Sequence, residues 1–262
     1  MLDNIGKDIN ASLNEVEQKY NVEILLAIES GSRAWGFASP DSDYDVRFIY
    51  MQRPENYIRI DDNEDYIDWM LDEVFDINGW DLKKALLNFA KGNPNLMEWA
   101  QSPIVYRKSD KWDVIAPVVK KCFSEKASIN HYYGTANSTY HKSLTTDKVK
   151  YKKYFYALRP LLCCRWIERF HEIPPMRFDD LLRLFDGTDS DLTGKLLEEI
   201  NRLVEIKVET EESELNAHIP MIKSFIESEL AKQREIAEKI EDDRIKDFSE
   251  LNELFRNLVI GK

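Results

Sequence analysis

Residues 29–47, with the sequence ESGSRAWGFASPDSDYDVR, contain a Gly-Ser pair followed by two closely spaced aspartates. The compact, largely apolar run of residues 22–28 before it is typical of a short buried strand that ends at a glycine turn. Residues 44–50 predict a second strand. If Asp43 and Asp45 lie on that strand, its period-two geometry puts both carboxylates on one face, about 7 Å apart. Carboxylates so placed can share cations.

The residue types of this segment suit phosphate and metal binding. Gly31 lacks a Cβ and lets the backbone approach a bulky anion, and the Ser32 hydroxyl can donate a hydrogen bond to it. Asp43 and Asp45, with a third carboxylate from a neighbouring strand, can hold two Mg²⁺ or Mn²⁺ ions roughly 4 Å apart. One ion activates an attacking hydroxyl and the other neutralises a triphosphate. The predicted chemistry is in-line phosphoryl transfer.

Asp76 is the preferred third carboxylate. It lies in the otherwise apolar run of residues 74–77, and a lone carboxylate in a buried strand gains nothing unless it has a partner. Asp68 and Asp72 are the alternatives. The sequence pattern alone does not decide which of the three is the third carboxylate.

The same segment has an explanation without a metal. Residues 41–43 can be ordinary turn residues before a strand, and Asp45 an exposed strand position. A lone Asp-x-Asp pair is more often of that kind. Here the Gly-Ser pair lies about a dozen residues upstream, which favours the metal site.

The run over residues 31–50 resembles the signature of the DNA polymerase beta-like nucleotidyltransferase superfamily, a Gly-Ser pair followed by an apolar-flanked acidic pair. It is more closely similar to a bacterial and phage branch of predicted nucleotidyltransferases that are sometimes found beside RNA ligases and RNA-repair genes. The blocks at residues 76–86, 98–103 and 152–162 share that similarity. The resemblance therefore covers residues 29–162.

The resemblance implies an α+β fold, with a small mixed β-sheet catalytic domain followed by an all-helical domain. A nucleoside triphosphate (NTP) would bind in the cleft between them. We expect the nucleotidyltransferase domain over residues 1–110 and the helical domain over residues 111–262, where a 3.6-residue periodicity replaces the β-branched runs.

The resemblance also implies roles for individual residues. Gly31 and Ser32 would hold the β- and γ-phosphates of the nucleotide. Asp43 and Asp45 would ligate both metal ions, and Asp76 would supply the third carboxylate.

Further cations and one aromatic ring can complete a nucleotide site. On a helix, Lys152, Tyr156 and Arg159 share one stripe, where they can meet a triphosphate and a base; a solvated basic face is the alternative. Arg33 and Arg47 flank the acidic pair. Either can contact phosphate or balance the carboxylates, and Arg33, directly after the Gly-Ser pair, is the better phosphate candidate.

Apolar periodicity predicts the other elements. Before residue 110 they are a helix over residues 3–19, short strands over 65–70 and 73–77, and a helix over 81–89. Asn78 and Gly79 are expected as a turn between the last two. Further along, Pro160 predicts a kink or break near Arg159.

Composition excludes several classes of protein. The 262 residues, 43% of them apolar and 11% aromatic, argue against disorder. No apolar run approaches the ~20 residues of a membrane helix, and the first residues lack the pattern of a signal peptide, so we expect a cytoplasmic protein with no membrane partner. Three cysteines and four histidines without ligand spacing indicate neither disulfides nor a zinc site.

Charge is distributed unevenly within a net charge of −12. Residues 41–81 contain thirteen Asp or Glu and three Arg, whereas residues 141–169 contain eight Lys or Arg and two acidic residues. A cation-binding segment and a phosphate-binding segment suit a metal-dependent nucleotide enzyme; two solvated surfaces are the simpler explanation. The overall acidity weakens the case for long nucleic acid, but residues 141–169 can still hold an RNA end.

We therefore expect a metal-dependent nucleotidyltransferase that moves a nucleoside monophosphate from NTP to an acceptor hydroxyl and releases pyrophosphate. An RNA 3′ end is the favoured acceptor. A protein-AMPylating transferase is one alternative, and a non-catalytic nucleotide-binding sensor is another. Three converging carboxylates argue against the sensor, because their repulsion destabilises the metal-free state.

Overall fold

The computed structural model describes residues 2–39, 42–71, 74–186, 191–209 and 215–261. Its strands are β1 (Glu23–Glu29), β2 (Tyr44–Met51), β3 (Tyr66–Leu71), β4 (Phe75–Asp81) and β5 (Val105–Lys108). Its α-helices are α1 (Leu2–Tyr20), α2 (Gly31–Trp35), α3 (Pro54–Tyr57), α4 (Leu82–Ala90), α5 (Pro94–Ala100), α6 (Asp110–Lys120), α7 (Glu125–Ser143), α8 (Lys152–Phe170), α9 (Phe178–Leu182), α10 (Asp191–Glu209), α11 (Pro220–Lys239) and α12 (Ser249–Ile260).

The five strands form one mixed sheet in the order β3-β4-β2-β1-β5. β2 runs parallel to β4, whereas β1 is antiparallel to both of its neighbours and β3 is antiparallel to β4. A mixed sheet together with a long series of helices is an α+β fold, so the predicted fold class is confirmed. The parallel register pairs Asp45 of β2 with Asp76 of β4, so the two aspartates occupy neighbouring positions.

The sheet packs against α1. Ile9, Leu13 and Val16 lie on one face of this helix and are fully buried, as the periodicity predicts. They join a cluster that includes Val46 and Phe48 of β2. Burying an aliphatic side chain of this size contributes about 1.5–3 kcal/mol. This contact holds β2, the strand that carries Asp45.

β4 continues through Asn78 and Gly79, so the turn expected at these two residues is wrong. Gly79 is paired with Phe48 of β2, and a Cβ at Gly79 would lie 2.2 Å from the Phe48 ring. A glycine is needed here because an aromatic ring covers the strand. The strand ends at Asp81, whose Oδ1 accepts a hydrogen bond from the Lys83 N–H at 2.8 Å and caps α4.

After β5 the named elements are all helices, as predicted. α8 runs unbroken through Pro160, so the break expected near Arg159 as the alternative to a kink is wrong. Residues 157–164 are buried on every side of this helix, and tertiary packing outweighs the backbone hydrogen bond that proline cannot donate. No helix in the described ranges is both long enough and apolar enough to cross a bilayer.

The chain forms two compact units that alternate along the sequence. The sheet unit comprises Met1–Ala34, Asp43–Phe123 and Arg244–Lys262, and the helical unit comprises Trp35–Ser42 and Ser124–Asp243. A single boundary between residues 110 and 111 would instead give α6 and α12 to the helical domain. In the structure both helices belong to the compact unit that contains the sheet.

Replacing Gly79 with alanine is expected to destabilise the protein by about 1–3 kcal/mol, because the Phe48 ring must move within a packed core. Gly134 provides the matched control, since a Cβ there meets nothing within 4 Å. Because Gly134 lies inside α7, Gly134→Ala should stabilise the protein by about 0.5–1 kcal/mol. Urea unfolding measures both changes, and effects of the same sign would contradict the packing described for Gly79.

Candidate active site

Two of the three predicted aspartates face each other across the parallel strand pair. Asp45 lies on β2 and Asp76 on β4, in direct register. Asp43 stands just before β2 rather than on it, and its carbonyl oxygen accepts a hydrogen bond from Arg33 Nε at 3.0 Å. The structure therefore brings Asp45 and Asp76 together and places Asp43 two residues before Asp45.

Arg47 holds the two facing aspartates. Its Nη2 donates to Asp45 Oδ1 at 3.1 Å and to Asp76 Oδ2 at 2.6 Å. Its Nη1 donates to two backbone oxygens, Asp76 O at 2.8 Å and Val46 O at 3.1 Å. Asn78 Nδ2 donates to the other carboxylate oxygen of Asp76 at 3.0 Å. Of the two roles considered for Arg47, the structure shows the balancing of carboxylates.

Gly31 makes room for Asp45. It has φ +58°, and a Cβ on it would lie 1.9 Å from Asp45 Oδ2. The Ser30 N–H donates to the Asp45 carbonyl oxygen at 2.8 Å, which holds the two segments together. The missing Cβ was expected to admit an anion. In the structure it admits a carboxylate of the same chain, and Gly31 and Ser32 begin α2 directly after β1.

Glu29, at the end of β1, is a site residue that the sequence analysis missed. It is fully buried; its Oε1 accepts the Asp45 N–H at 2.9 Å, and its Oε2 accepts the Tyr106 hydroxyl. Burial raises the pKa of Glu29 from 4.5 to about 7. An acidic residue that ends an apolar strand was the available signal, the same argument that selected Asp76.

The site carries an excess of negative charge. Burial raises the pKa of Asp45; Arg47 opposes that change, and the carboxylates of Asp76 and Asp43 add to it. The Arg33 guanidinium carbon lies 3.8 Å from the centroid of the Tyr44 ring. A cation near these carboxylates is favourable, because it stabilises their ionised form.

Of the two alternatives to Asp76 as the third carboxylate, Asp68 and Asp72, the structure describes Asp68. Asp68 is exposed on β3 and is paired with Asn78. Asp72 lies outside the described residues. The sheet places Asp76 opposite Asp45 and Asp68 opposite Asn78.

The second group of predicted nucleotide ligands lies on α8 in the helical unit. Lys152 is half-buried and Tyr156 is 37% exposed. Arg159 is only 3% exposed; its Nε and Nη2 donate to Met176 O at 3.3 and 3.2 Å. This burial shows that Arg159 packs within the helical unit. Nucleotide binding by these three residues stays a prediction.

The segment between the Gly-Ser pair and the aspartates is anchored by aromatic rings of the helical unit. Phe37 stacks on Phe155 with 4.6 Å between ring centroids and meets Phe178 edge-on at 5.6 Å. Trp35 lies 4.5 Å from the Arg159 guanidinium carbon and 5.8 Å from the Tyr156 ring. These contacts fix Trp35 and Phe37 within the helical unit.

The donor set fits a divalent cation in its chemistry, because carboxylate oxygens are the protein ligands that Mg²⁺ and Mn²⁺ prefer. In the described part of the chain, however, no three His, Cys, Asp or Glu side chains already surround a common metal position. Arg47 Nη2 instead bridges the facing oxygens of Asp45 and Asp76. To bind a metal ion there, Asp45 and Asp76 must release Arg47 Nη2 and contact the ion in its place.

Three comparisons with known proteins bear on this site. The RlaP family model, described as the RNA repair pathway DNA polymerase beta family, matches residues 5–257. The chain is 41% identical over 248 residues, 94% of both chains, to the uncharacterized protein YcgL of Bacillus subtilis strain 168. The crystal structure of a nucleotidyltransferase-like protein from Exiguobacterium sibiricum shares 9% identity and a TM-score of 0.32 over 95% of this chain and 88% of that one; a score that low carries no argument. The family match confirms the resemblance seen in the sequence.

Gly31→Ala should weaken metal binding, because the new Cβ must displace the Asp45 carboxylate. Gly36→Ala is the matched control: Gly36 also has a positive φ, of +89°, but a Cβ there faces Arg177. Both variants should lose about 1–2 kcal/mol of stability from backbone strain. Mn²⁺ titration followed by electron paramagnetic resonance should show weaker binding in Gly31→Ala alone. Equal affinity in the two variants would contradict the role given to Gly31.

Glu29→Gln should reduce the pH dependence of stability in the metal-free protein. Because the pKa of Glu29 is raised on folding, its contribution is fully present below about pH 4.5 and is lost as the pH rises through about 7. The size of this loss is roughly 3 kcal/mol. Urea unfolding at pH 5 and pH 8 in EDTA should show a smaller loss in the glutamine variant, and an unchanged loss would contradict the burial of an ionisable Glu29.

Proposed function

We propose that this chain, which belongs to the RNA repair pathway DNA polymerase beta family, is a metal-dependent nucleotidyltransferase. It moves a nucleoside monophosphate from NTP to an acceptor hydroxyl and releases pyrophosphate. The observation that carries this proposal is the pairing of Asp45 with Asp76 across β2 and β4, with Asp43 two residues before Asp45. The description of the family, which names an RNA repair pathway, supports RNA as the acceptor, and its 3′ end is the hydroxyl that we propose.

The carboxylates have defined tasks in this proposal. Asp43, Asp45 and Asp76 bind two Mg²⁺ or Mn²⁺ ions, which when bound activate the acceptor hydroxyl and neutralise the triphosphate. The buried Glu29 fixes the Asp45 backbone through the hydrogen bond at 2.9 Å. Fixing this backbone keeps the carboxylate of Asp45 in place, and such positioning accounts for much of the rate enhancement in phosphoryl transfer.

The reaction is a single displacement at the α-phosphorus. The acceptor oxygen forms a bond to the α-phosphorus while the bond from that phosphorus to the bridging oxygen breaks. Pyrophosphate leaves, and the hydroxyl proton passes to solvent. Gly31, Ser32 and Arg33 are the proposed contacts of the departing phosphates, since Gly31 lies against the Asp45 carboxylate and Arg33 Nε donates to the Asp43 carbonyl oxygen at 3.0 Å.

Lys152 and Tyr156 of α8 are proposed to contact the triphosphate and the base. The Tyr156 ring is 37% exposed and has Lys153 Nζ 5.4 Å from its centroid, so an aromatic surface for a base and a positive charge for a phosphate lie side by side. Arg159 is the weakest member of this set, because its buried guanidinium already binds the Met176 carbonyl oxygen.

A non-catalytic nucleotide sensor is the second candidate, and one observation favours it. Arg47 relieves the repulsion between Asp45 and Asp76, so these carboxylates can persist without a metal ion. The repulsion that argued against a sensor is therefore partly removed. A protein acceptor is the other alternative, and the labelling experiment decides between it and RNA.

The test is transfer of label from each α-³²P-labelled NTP in the presence of Mg²⁺ or Mn²⁺ and mixed small RNA, with products resolved on RNA and protein gels. Label on RNA supports the proposed acceptor. Label on protein instead supports the AMPylating alternative. Measurable NTP binding without any label favours the sensor.

Asp45→Asn and Asp76→Asn should each retain the fold and lose transfer by about 10²-fold or more, because a charge aimed at the reacting centre is removed. Asp68→Asn is the matched control, since Asp68 is exposed on β3 and should keep wild-type activity. Circular dichroism checks folding, and initial rates of labelling measure activity. Full activity in Asp45→Asn would contradict the assignment of the site.

A further inference from the structure

We propose that Arg47 is a built-in counterion, which holds Asp45 and Asp76 in the metal-free protein and competes with a divalent cation for their carboxylates. Arg47 would then set the affinity of the site for metal. This inference rests on the proposed function, because it assumes that a divalent cation binds these aspartates. Arg47 is a positioning residue in this account, since it acts on the carboxylates and not on the substrate.

The two terminal nitrogens of Arg47 have different partners, and this difference lets one of them exchange its contacts. Nη1 donates only to backbone oxygens, Asp76 O at 2.8 Å and Val46 O at 3.1 Å. These oxygens belong to the paired strands and do not move when a carboxylate rotates. The guanidinium therefore stays anchored to the sheet while Nη2 exchanges its contacts.

The second argument is the position of Nη2. It lies 3.1 Å from Asp45 Oδ1 and 2.6 Å from Asp76 Oδ2, so it occupies the space that a cation shared by these two oxygens would need. The other oxygen of Asp76 accepts from Asn78 at 3.0 Å. Two cations cannot share this position, because their repulsion at such short range is large.

The third argument is burial. The Arg47 side chain is 17% exposed, and those of Asp45 and Asp76 are 32% and 29% exposed. Solvent therefore screens the two carboxylates only in part, and without a cation they repel each other. Removal of Arg47 should destabilise the metal-free site and, at the same time, leave a more negative site for a divalent cation.

A purely structural role for Arg47 makes the opposite prediction for metal binding. If Arg47 only oriented the carboxylates for the metal, its loss would disorder them and weaken binding. Competition requires that binding become tighter when Arg47 is neutralised. The direction of the change in metal affinity therefore separates the two roles.

The experiment compares Arg47→Gln with Arg107→Gln. Arg107 of β5 is a matched control, because its side chain is 22% exposed and pairs with Glu17 at 2.8 Å, away from the aspartates. Mn²⁺ affinity is measured by electron paramagnetic resonance without nucleotide, and thermal midpoints are measured in EDTA and in Mn²⁺.

Both variants should melt at a lower temperature in EDTA, because each loses a partly buried ion pair. Only Arg47→Gln should bind Mn²⁺ more tightly, by about tenfold, as expected when a competing charge near the ligands is removed. Added Mn²⁺ should then raise its midpoint more than it raises the wild-type midpoint. Arg47→Lys, which keeps the charge, should stay within about threefold of wild-type affinity.

Unchanged or weaker Mn²⁺ binding in Arg47→Gln would overturn the proposal, as would wild-type binding that Asp45→Asn leaves unaffected. If Arg47→Gln is unfolded in EDTA, refolding on addition of Mn²⁺ supports the proposal and a failure to refold contradicts it. These measurements use no nucleotide. A protein that shows the expected Mn²⁺ response but transfers no label would contradict the proposed function and still support the role of Arg47.

Discussion

The parallel register of β2 and β4 places two carboxylates, Asp45 and Asp76, directly opposite each other. Like charges at neighbouring strand positions repel, so this pairing requires a cation. Arg47 supplies one from the same strand as Asp45, two residues further along. The other features of the site follow from that arrangement. A glycine is needed at position 31 because the Asp45 carboxylate fills the space that a Cβ would take. The Asp45 N–H donates to the buried Glu29.

The sheet that carries this pair is held by apolar packing on one side and by one aromatic ring across two strands. Ile9, Leu13 and Val16 of α1 bury themselves in the cluster that contains Phe48. The same Phe48 ring covers Gly79 of β4. The register that sets the carboxylates opposite each other therefore depends on residues of the apolar core.

The chain between the Gly-Ser pair and Asp43 is held differently. Trp35 to Ser42 belong to the helical unit, whereas Ala34 and Asp43 belong to the sheet unit. The packing of Phe37 against Phe155 and Phe178 therefore holds Phe37 within the helical unit.

Local pattern was sufficient for part of this structure. Apolar periodicity predicted α1, β1, β2 and the helical second half, and the Gly-Ser and Asp-x-Asp pairs indicated the family. The structural role of Gly79 could not be predicted, because the residue that requires a glycine there is Phe48, 31 positions earlier in the sequence. The unbroken α8 likewise depends on tertiary packing around Pro160, which a local rule for proline does not include.

The site was predictable in its residue types but not in its contacts. Asp76 was selected because a carboxylate in an apolar strand needs a partner, and that argument applied equally to Glu29 at the end of β1. The purpose of Gly31 depends on a side chain fourteen positions further along. The bridge formed by Arg47 depends on the strand register. Such features require the pairing of distant segments, which spacing alone does not give.

Asp43, Asp45 and Asp76 are proposed to hold divalent cations beside a nucleotide. Anomalous diffraction from a crystal of the protein with Mn²⁺ and a non-hydrolysable NTP tests this proposal. Mn²⁺ peaks should lie within about 2.5 Å of carboxylate oxygens of these aspartates, and Arg47 Nη2 should no longer bridge Asp45 and Asp76. Bound nucleotide without Mn²⁺ at these carboxylates, or Mn²⁺ held only by other residues, would contradict it.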